Sequence, residues 1–187
     1  MMEIFQTEIK EVKIIIPRKN EDERGFLFES YHKKSFLDFS LNLDFVQENH
    51  SLTFQKGTIR GLHFQKPPYA QAKLIRVLRG SIFDVAVDIR KNSPTFGKYV
   101  SCILSGENLR QIFIPEGFAH GFCTLEENTE VCYKVSNPYS PAYEEGIIWN
   151  DQNLNIQWPE FEAYVLSEKD KKWPGFEQQD GFFKGGK

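Results

Sequence analysis

The chain is poor in cysteine, in long apolar runs and in excess charge of either sign, and each shortage excludes a class of protein. Its three cysteines, Cys102, Cys123 and Cys132, have neither metal-site nor disulfide-framework spacing, which predicts reduced thiols in the cytoplasm. No apolar run approaches the roughly 20 residues of a membrane span, and the N-terminal stretch is acidic where a secretory signal would be apolar. With 23 basic and 26 acidic residues, the net charge of −3 argues against a nucleic-acid partner.

Apolar residues are abundant, and their spacing is that of strands. Hydrophobic residues make up 40% of the 187-residue chain, which is enough for one packed core in a domain of this length. Alternation of period two runs through residues 82–89, 110–114 and 131–135 and predicts strands with one face against a core. Glycine and proline recur between these runs. The pattern predicts an all-β fold, either a sandwich, a jelly roll or a barrel.

Little of the chain has helical character, and nothing marks a second domain. Residues 35–43 predict one short helix, and residues 167–172 predict another. No repeat or linker divides the chain, so we expect a single domain over residues 1–187. The Gly- and Lys-rich end predicts a loose tail over residues 175–187.

The densest group of side chains that could act in catalysis or binding falls in residues 57–90. Arg60, His63 and Lys73 lie close together there on strand-like sequence. Period two places Arg60 and His63 on opposite faces unless Gly61 bends the strand. Each residue also has a plain structural explanation, since strand histidines are often core residues and charges at sheet edges are usually solvated.

Other candidates lie downstream. His120 follows a Pro-x-Gly turn, Tyr133 offers a phenol on a predicted strand, and Lys169 and Asp170 lie far along the chain. Taken singly, Tyr133 is explained as a core ring with its hydroxyl near the surface, and Asp170 as a turn charge.

The two histidine segments resemble the two motifs of the cupin superfamily, whose fold is a β jelly roll. The resemblance rests on a glycine six residues before His63 and on the Pro-x-Gly-x-x-His turn that ends at His120. Metal-binding cupins place a second histidine two residues after the first and then a glutamate. This chain has Gln65 there, and its next glutamate is Glu107. Because two histidines without a carboxylate give a divalent cation too few ligands, we expect no metal.

Eight ordered segments between about Phe5 and Asp170 resemble the dTDP-4-dehydrorhamnose 3,5-epimerase family. They are DERGFLFESY, FVQENHS, RGLHFQ, AQAKLIRV, DVAVDIRKNSPTFG, LSGENLRQIFIPEGFAHGF, YKVSNPYSP and WNDQNLNIQWP. The resemblance implies a cupin-type jelly-roll β barrel with a few short helices and a homodimer that needs no cofactor. It implies a nucleotide-diphosphate sugar substrate, dTDP-4-dehydro-6-deoxy-D-glucose. Inversion at carbons 3 and 5 would give dTDP-4-dehydro-L-rhamnose for rhamnose and cell-surface polysaccharide synthesis.

Inversion next to a ketone requires a base on one face of the sugar, an acid on the other and a cation near the developing oxyanion. The resemblance implies His63 as the base, Asp170 as its polarising partner, Tyr133 as the acid and Lys73 beside the keto oxygen. It also implies a substrate-binding set, partly supplied by a second subunit. In that set Arg24 and Arg60 hold the diphosphate and Phe26 packs on the nucleotide, and the others are Glu29, Gln47, Asn49, His120, Glu144 and Lys169.

The sequence departs from the family pattern at one position, and several alternative functions remain open. Many family members have an aromatic residue where this chain has Pro138, which bears on nucleotide and sugar preference. Alternatives are a mono-epimerase at carbon 3 or carbon 5, a ketoisomerase on a related nucleotide sugar, a non-catalytic sugar-binding cupin, and a metal-dependent cupin. Retention of His63, Tyr133 and Asp170 disfavours the non-catalytic protein, and Gln65 disfavours the metal-dependent one.

Overall fold

The structure is a computed structural model that describes residues 2–38, 41 and 43–178. Within these residues the chain forms thirteen strands, one α-helix and three single-turn 3-10 helices. The helix α1 spans Lys33–Asp38. The strands in chain order are β1 (Glu3–Gln6), β2 (Lys13–Ile16), β3 (Lys19–Asp22), β4 (Gly25–Phe28), β5 (Gln47–Thr53), β6 (Ile59–Gln65), β7 (Lys73–Arg79), β8 (Ser81–Asp88), β9 (Tyr99–Ser105), β10 (Gln111–Ile114), β11 (Phe118–Thr124), β12 (Thr129–Val135) and β13 (Glu144–Gly146).

The strands form two large antiparallel sheets and a separate hairpin. The six-stranded sheet has the order β1-β2-β10-β7-β12-β5, and the five-stranded sheet has the order β13-β6-β11-β8-β9. Within the described part of the chain, strands β3 and β4 pair only with each other. One hydrophobic cluster joins the two large sheets, with Ile75 and Ile112 from the first packed near Ile82 and Phe122 from the second. The jelly-roll prediction is confirmed, with the strands arranged as a two-sheet sandwich rather than one closed barrel.

Strands β8 and β11 of the five-stranded sheet are buried on both faces, which differs from the predicted one-sided burial. Along β8, Ile82 and Ala86 face the core between the sheets, whereas Val85 and Val87 belong to a second apolar cluster. That cluster is completed by later parts of the chain, including Ile147, Leu154, Trp158 and Phe176. The segment after β13 therefore crosses the outer face of this sheet before it reaches residue 170.

The two predicted helices are shorter in the structure. The first is α1, after which the backbone N–H of Leu41 donates to the carbonyl of Phe36 (2.9 Å) and turns Leu41 into the core. Residues 39, 40 and 42 of that prediction lie outside the described residues. Near residue 170 the chain forms a single 3-10 turn, Asp170–Lys172. The predicted tail is described only as far as residue 178. Among the described residues, no helix has the length and apolarity needed to cross a bilayer.

A shift in strand register at Gly61 places two candidate side chains in the same cleft. His120 pairs with His63 and Phe122 with Arg60, with an irregularity between the two pairs. Gly61 has φ of +137°, and a Cβ there would lie 2.5 Å from the Cα of Gly121 on β11. Only glycine fits such a backbone and such a close approach. The bend therefore lets both Arg60 and His63 line the cleft despite their odd spacing.

We predict that Gly61→Ala destabilises the protein more than Gly25→Ala does. Both glycines have positive φ, but a Cβ at Gly25 meets nothing within 4 Å, so the control carries only the backbone strain. The clash at Gly61 should lower the free energy of unfolding by a further ~1–3 kcal/mol. Urea denaturation of the two variants measures the difference, and equal losses would show that β6 and β11 can separate without penalty.

Candidate active site

A cleft of about 490 Å³ opens between the two large sheets. Seven of the predicted site residues line it: Arg60, His63, Lys73, His120, Tyr133, Lys169 and Asp170. An adjoining space of about 360 Å³ shares His63, Lys73 and Tyr133 with the cleft. The adjoining space adds three further predicted residues, Gln47, Asn49 and Glu144. The fold thus gathers ten predicted residues from both sheets and the C-terminal segment.

His63 and Asp170 form a close, largely buried pair. The Nε2 of His63 lies 2.5 Å from Oδ1 of Asp170, whose side chain is only 5% exposed. The hydroxyl of Ser167 accepts a hydrogen bond from the backbone N–H of Asp170 (3.0 Å). Although burial acts to raise the pKa of Asp170, the hydrogen bond from His63 and the charge of that ring hold it below its ordinary value. An ionised Asp170 fixes the imidazole with its proton on Nε2, which leaves Nδ1 free to accept a proton.

Tyr133 faces this pair from the other sheet. It lies on β12, whereas His63 lies on β6, and both line the cleft and the adjoining space. Burial raises the pKa of Tyr133, opposed by the charge of Arg60 and supported by that of Glu144. The phenol therefore keeps its proton at neutral pH and can donate it.

Behind the cleft, three buried ionisable groups come together. Burial lowers the pKa of Lys73 to about 8, while the negative charges of Asp84 and Glu144 oppose this effect. Asp84 has no exposed surface, and its Oδ2 accepts a hydrogen bond from Nε2 of His120 (2.8 Å). Burial also lowers the pKa of His120, so its imidazole is neutral at pH 7. Lys73 is thus a buried cation at neutral pH, and one of the two negative charges that act on it, Asp84, is fully buried.

A polar rim borders the adjoining space. The hydroxyl of Tyr139 donates to Oε2 of Glu144 (2.5 Å), and the ammonium of Lys169 donates to the same oxygen. Burial acts to raise the pKa of Glu144, but the hydrogen bonds from Lys169 and Tyr139 hold it below its ordinary value. The backbone N–H of Tyr139 donates to Oε1 of Gln47 (3.0 Å), and Gln47 in turn donates to Asn49. The rim is therefore a connected set of polar side chains.

Gln65, which stands at the cupin metal-ligand position, supports a loop in this structure. Its side-chain amide donates to the carbonyls of Tyr69 (2.7 Å) and Pro138 (3.2 Å), and its Oε1 accepts from the backbone N–H of Ser140 (2.7 Å). Among the described residues no group of three or more His, Cys, Asp or Glu side chains is arranged to hold a metal ion. Gln65 fixes the turn that carries Tyr139 into the rim.

Three predicted binding residues lie away from the cleft within this chain. Arg24 and Phe26 sit on the β3–β4 hairpin and line a separate surface depression. Arg24 is paired there with Asp22, and the two side chains approach to 2.5 Å. Glu29 is exposed just beyond the hairpin. The chain alone therefore does not bring these side chains to His63.

Two residues near the site were missed at the level of sequence. Asp84 occupies an inward position in the alternating run of β8, and a charge at a core position was the available signal. Trp173 donates from its indole Nε1 to Oδ1 of Asp170 (3.3 Å), a contact that no local pattern indicates.

With a carboxylate-bound imidazole, an opposed phenol and a buried cation, the site can move a proton at a carbon next to a carbonyl.

Comparisons with known proteins agree on one family. A family model described as dTDP-4-dehydrorhamnose 3,5-epimerase matches residues 6–178. The chain is 50% identical over 182 residues to the dTDP-4-dehydrorhamnose 3,5-epimerase of Shigella flexneri, covering 97% of this chain and 99% of that protein. It is 51% identical over 171 residues to the protein of the same name from Sinorhizobium fredii, covering 91% and 88%. A crystal structure from Legionella pneumophila, dTDP-6-deoxy-D-glucose-3,5-epimerase in complex with dTDP-4-keto-L-rhamnose, matches with a TM-score of 0.96 and 44% identity over all of both chains.

We predict that Lys73→Met removes a pH-dependent part of the stability. Burial lowers the folded-state pKa of Lys73 to about 8, against 10.5 for the free side chain. Between these values the unfolded state binds the extra proton, so the contribution of Lys73 to the free energy of unfolding rises with pH, by about 3 kcal/mol over the window. Urea denaturation from about pH 7.5 to about pH 10.5 should show the stability of the parent rising relative to Lys73→Met.

The control is Lys56→Met, which removes an exposed amine. The stability difference between this variant and the parent should stay constant over the same range. A constant difference for Lys73→Met as well would mean that its amine is hydrated in the folded protein.

Proposed function

Since the chain belongs to the dTDP-4-dehydrorhamnose 3,5-epimerase family, we propose that it is an isomerase that converts dTDP-4-dehydro-6-deoxy-D-glucose into dTDP-4-dehydro-L-rhamnose, for rhamnose synthesis. The observation that carries the proposal is the placement of the His63–Asp170 pair and Tyr133 on opposite sides of one cleft, with Lys73 buried beside both. Inversion at carbons 3 and 5 requires this set of groups: a base, an opposed acid and a cation.

His63 is the proposed base. The ketone at carbon 4 acidifies the hydrogens on carbons 3 and 5, because each carbanion delocalises into an enolate. The Nδ1 lone pair of His63 accepts such a proton, and the carboxylate of Asp170 stabilises the imidazolium that results.

Tyr133 and Lys73 complete the proposed reaction. The phenol delivers a proton to the opposite face of the enolate, which inverts the centre. The buried ammonium of Lys73 stabilises the oxyanion at carbon 4, an electrostatic role that needs no metal. His120, held by Asp84, lies next to this position and contacts the sugar.

The remaining predicted residues bind the rest of the nucleotide sugar. Arg60 reaches the cleft with its Nε hydrogen-bonded to Thr53 (3.1 Å), and its guanidinium suits the diphosphate. Lys169 and the rim residues Gln47, Asn49 and Glu144 offer polar contacts along the cleft and the adjoining space.

A second copy of the chain supplies the missing contacts in this proposal. The β3–β4 hairpin pairs with no other strand of the described chain and exposes Phe26 (55%) and Leu27 (76%). Phe54 and Val46, at the two ends of the edge strand β5, are also exposed, by 70% and 59%. Apolar surface of this kind is typical of an interface. A homodimer would cover it and bring Arg24, Phe26 and Glu29 of one copy to the cleft of the other.

We further propose that the protein works in the cytoplasm. All three cysteines are free in the structure, and none is paired with another. Burial raises the pKa of Cys123 to about 12, so this thiol is unreactive. Free, unreactive thiols of this kind suit a reducing compartment.

We predict that His63→Ala and Tyr133→Phe separate the two halves of the reaction. His63→Ala should abolish exchange of the hydrogens at carbons 3 and 5 with solvent, because no base remains. Tyr133→Phe should still exchange them through His63 while inverting them ~10²–10⁴-fold more slowly. NMR of the sugar nucleotide recovered from heavy water, with a chelator present throughout, measures both quantities.

Each outcome of that assay decides a role. Exchange retained in His63→Ala would assign the base elsewhere. Inversion at the parent rate in Tyr133→Phe would assign the acid to water or to another residue. Loss of parent activity in the chelator, restored by one divalent ion, would contradict the metal-free reaction.

We predict that two inactive variants restore each other when they are co-expressed. One carries Arg24→Ala with Phe26→Ala, and the other carries His63→Ala. In a mixed dimer, the intact cleft of the first chain receives the intact hairpin of the second, so one site in two is complete. Activity in the purified mixed dimer, and its absence from either variant alone, is the expected result. No activity in the mixed dimer would place the hairpin of each chain on its own cleft.

A further inference from the structure

Trp173 contacts the carboxylate of Asp170 from outside the cleft. Its indole Nε1 donates to Oδ1 of Asp170 (3.3 Å), the same oxygen that lies 2.5 Å from Nε2 of His63. The Trp173 and His63 rings meet edge to face, with their centroids 6.2 Å apart. Trp173 lines neither the cleft nor the adjoining space, where the sugar nucleotide is proposed to bind.

The indole is held in place by the strand next to the base. It packs on Gly146 so closely that a Cβ at this glycine would lie 2.4–2.5 Å from three atoms of the ring. Gly146 is the partner of His63 in the pairing of β13 with β6. The ammonium of Lys169 also lies over the indole, 5.3 Å from its centre. The position of Trp173 is therefore fixed relative to the backbone of His63.

These contacts indicate that Trp173 orients the carboxylate of Asp170 in addition to packing against its neighbours. Asp170 lies on a 3-10 turn outside both large sheets, so no strand pairing holds its carboxylate against His63. The indole donor occupies one lone pair of Oδ1 and thereby directs the other toward His63. Such outer partners orient a reactive histidine and tune its basicity.

We propose that Trp173 is a positioning residue for the proposed epimerase reaction, acting through Asp170 on the base His63. The inference rests on the proposed function for its kinetic consequences, whereas the contact itself belongs to the protein without substrate. Trp173 is not a catalytic residue, because it reaches the reaction only through Asp170.

The first experiment is Trp173→Phe, which keeps an aromatic ring and removes the N–H donor. We expect kcat to fall about 10–100-fold, the range typical of partners that orient a histidine, with KM unchanged. The matched control is Trp158→Phe, which removes an indole donor bonded to the carbonyl of Trp149 (2.8 Å) on the outer face of the sheet. The control should keep the parent kcat. Equal kcat values for Trp173→Phe and the parent would overturn the proposal.

A double-mutant cycle separates positioning from a general structural effect. If Trp173 acts through Asp170, then adding Trp173→Phe to Asp170→Asn should leave kcat within about two-fold of that of Asp170→Asn alone, because effects on one pathway are not additive. If Trp173→Phe lowers kcat as much in the Asp170→Asn background as it does in the parent, the proposal is overturned.

A substrate-free measurement keeps this test distinct from that of the proposed function. In NMR spectra of the unliganded protein, the proton shared by His63 and Asp170 is assigned by its loss in Asp170→Asn. It should move in Trp173→Phe and stay in place in Trp158→Phe, and an unmoved signal in Trp173→Phe would overturn the proposal. A parent protein without epimerase activity would overturn the proposed function and leave this result valid. If Trp173→Phe does not fold, Gly146→Ala displaces the same indole and should move the same signal, and an unmoved signal there would overturn the proposal.

Discussion

The hydrogen bond between His63 and Asp170 joins residues 107 positions apart, and much of the architecture serves to bring them together. His63 is fixed by β6, an inner strand of the five-stranded sheet, but Asp170 lies on a turn that belongs to no sheet. The chain reaches that turn only after crossing the outer face of the same sheet, where Ile147 and Leu154 pack on it. Burial of this face thus does more than stabilise the fold, because it also determines where the carboxylate of Asp170 lies.

The electrostatics of the cleft follow from the same enclosure. Lys73 is held as a cation in a place where burial disfavours charge, and Asp84 lies deeper still, bonded to His120. Because a buried site screens charges weakly, a single ammonium group there interacts strongly with a negative charge that develops nearby. In the proposed reaction, this ammonium takes the electrostatic role that a metal ion would otherwise have beside the keto oxygen. Gln65, at the cupin metal-ligand position, supports a loop instead.

The strands could be predicted because they depend on a short-range pattern, whereas the residues of the cleft were assigned by resemblance to a family. The alternation that indicates strands is local, and the ordered segments resembling the epimerase family were confirmed by the family match. Asp84 was missed because one acid in an alternating strand resembles a solvent-facing position. Trp173 was missed because its partner is defined only by the tertiary fold. Arg24 and Phe26 were assigned by resemblance, and the chain alone does not bring them near His63, so only the proposed homodimer would give them the predicted role.

The order of the elements along the chain has a consequence for biosynthesis. Every described strand is complete by Gly146, whereas Asp170 follows on a separate turn. As the chain leaves the ribosome, the strands of both sheets can emerge and pack before Asp170, the partner of the His63 imidazole, has been synthesised. A nascent chain would then lack the side of the cleft that Val165, Ser167 and Asp170 line. In the proposed reaction, the active site is therefore completed last, when the segment around Asp170 has emerged and folded back over the five-stranded sheet.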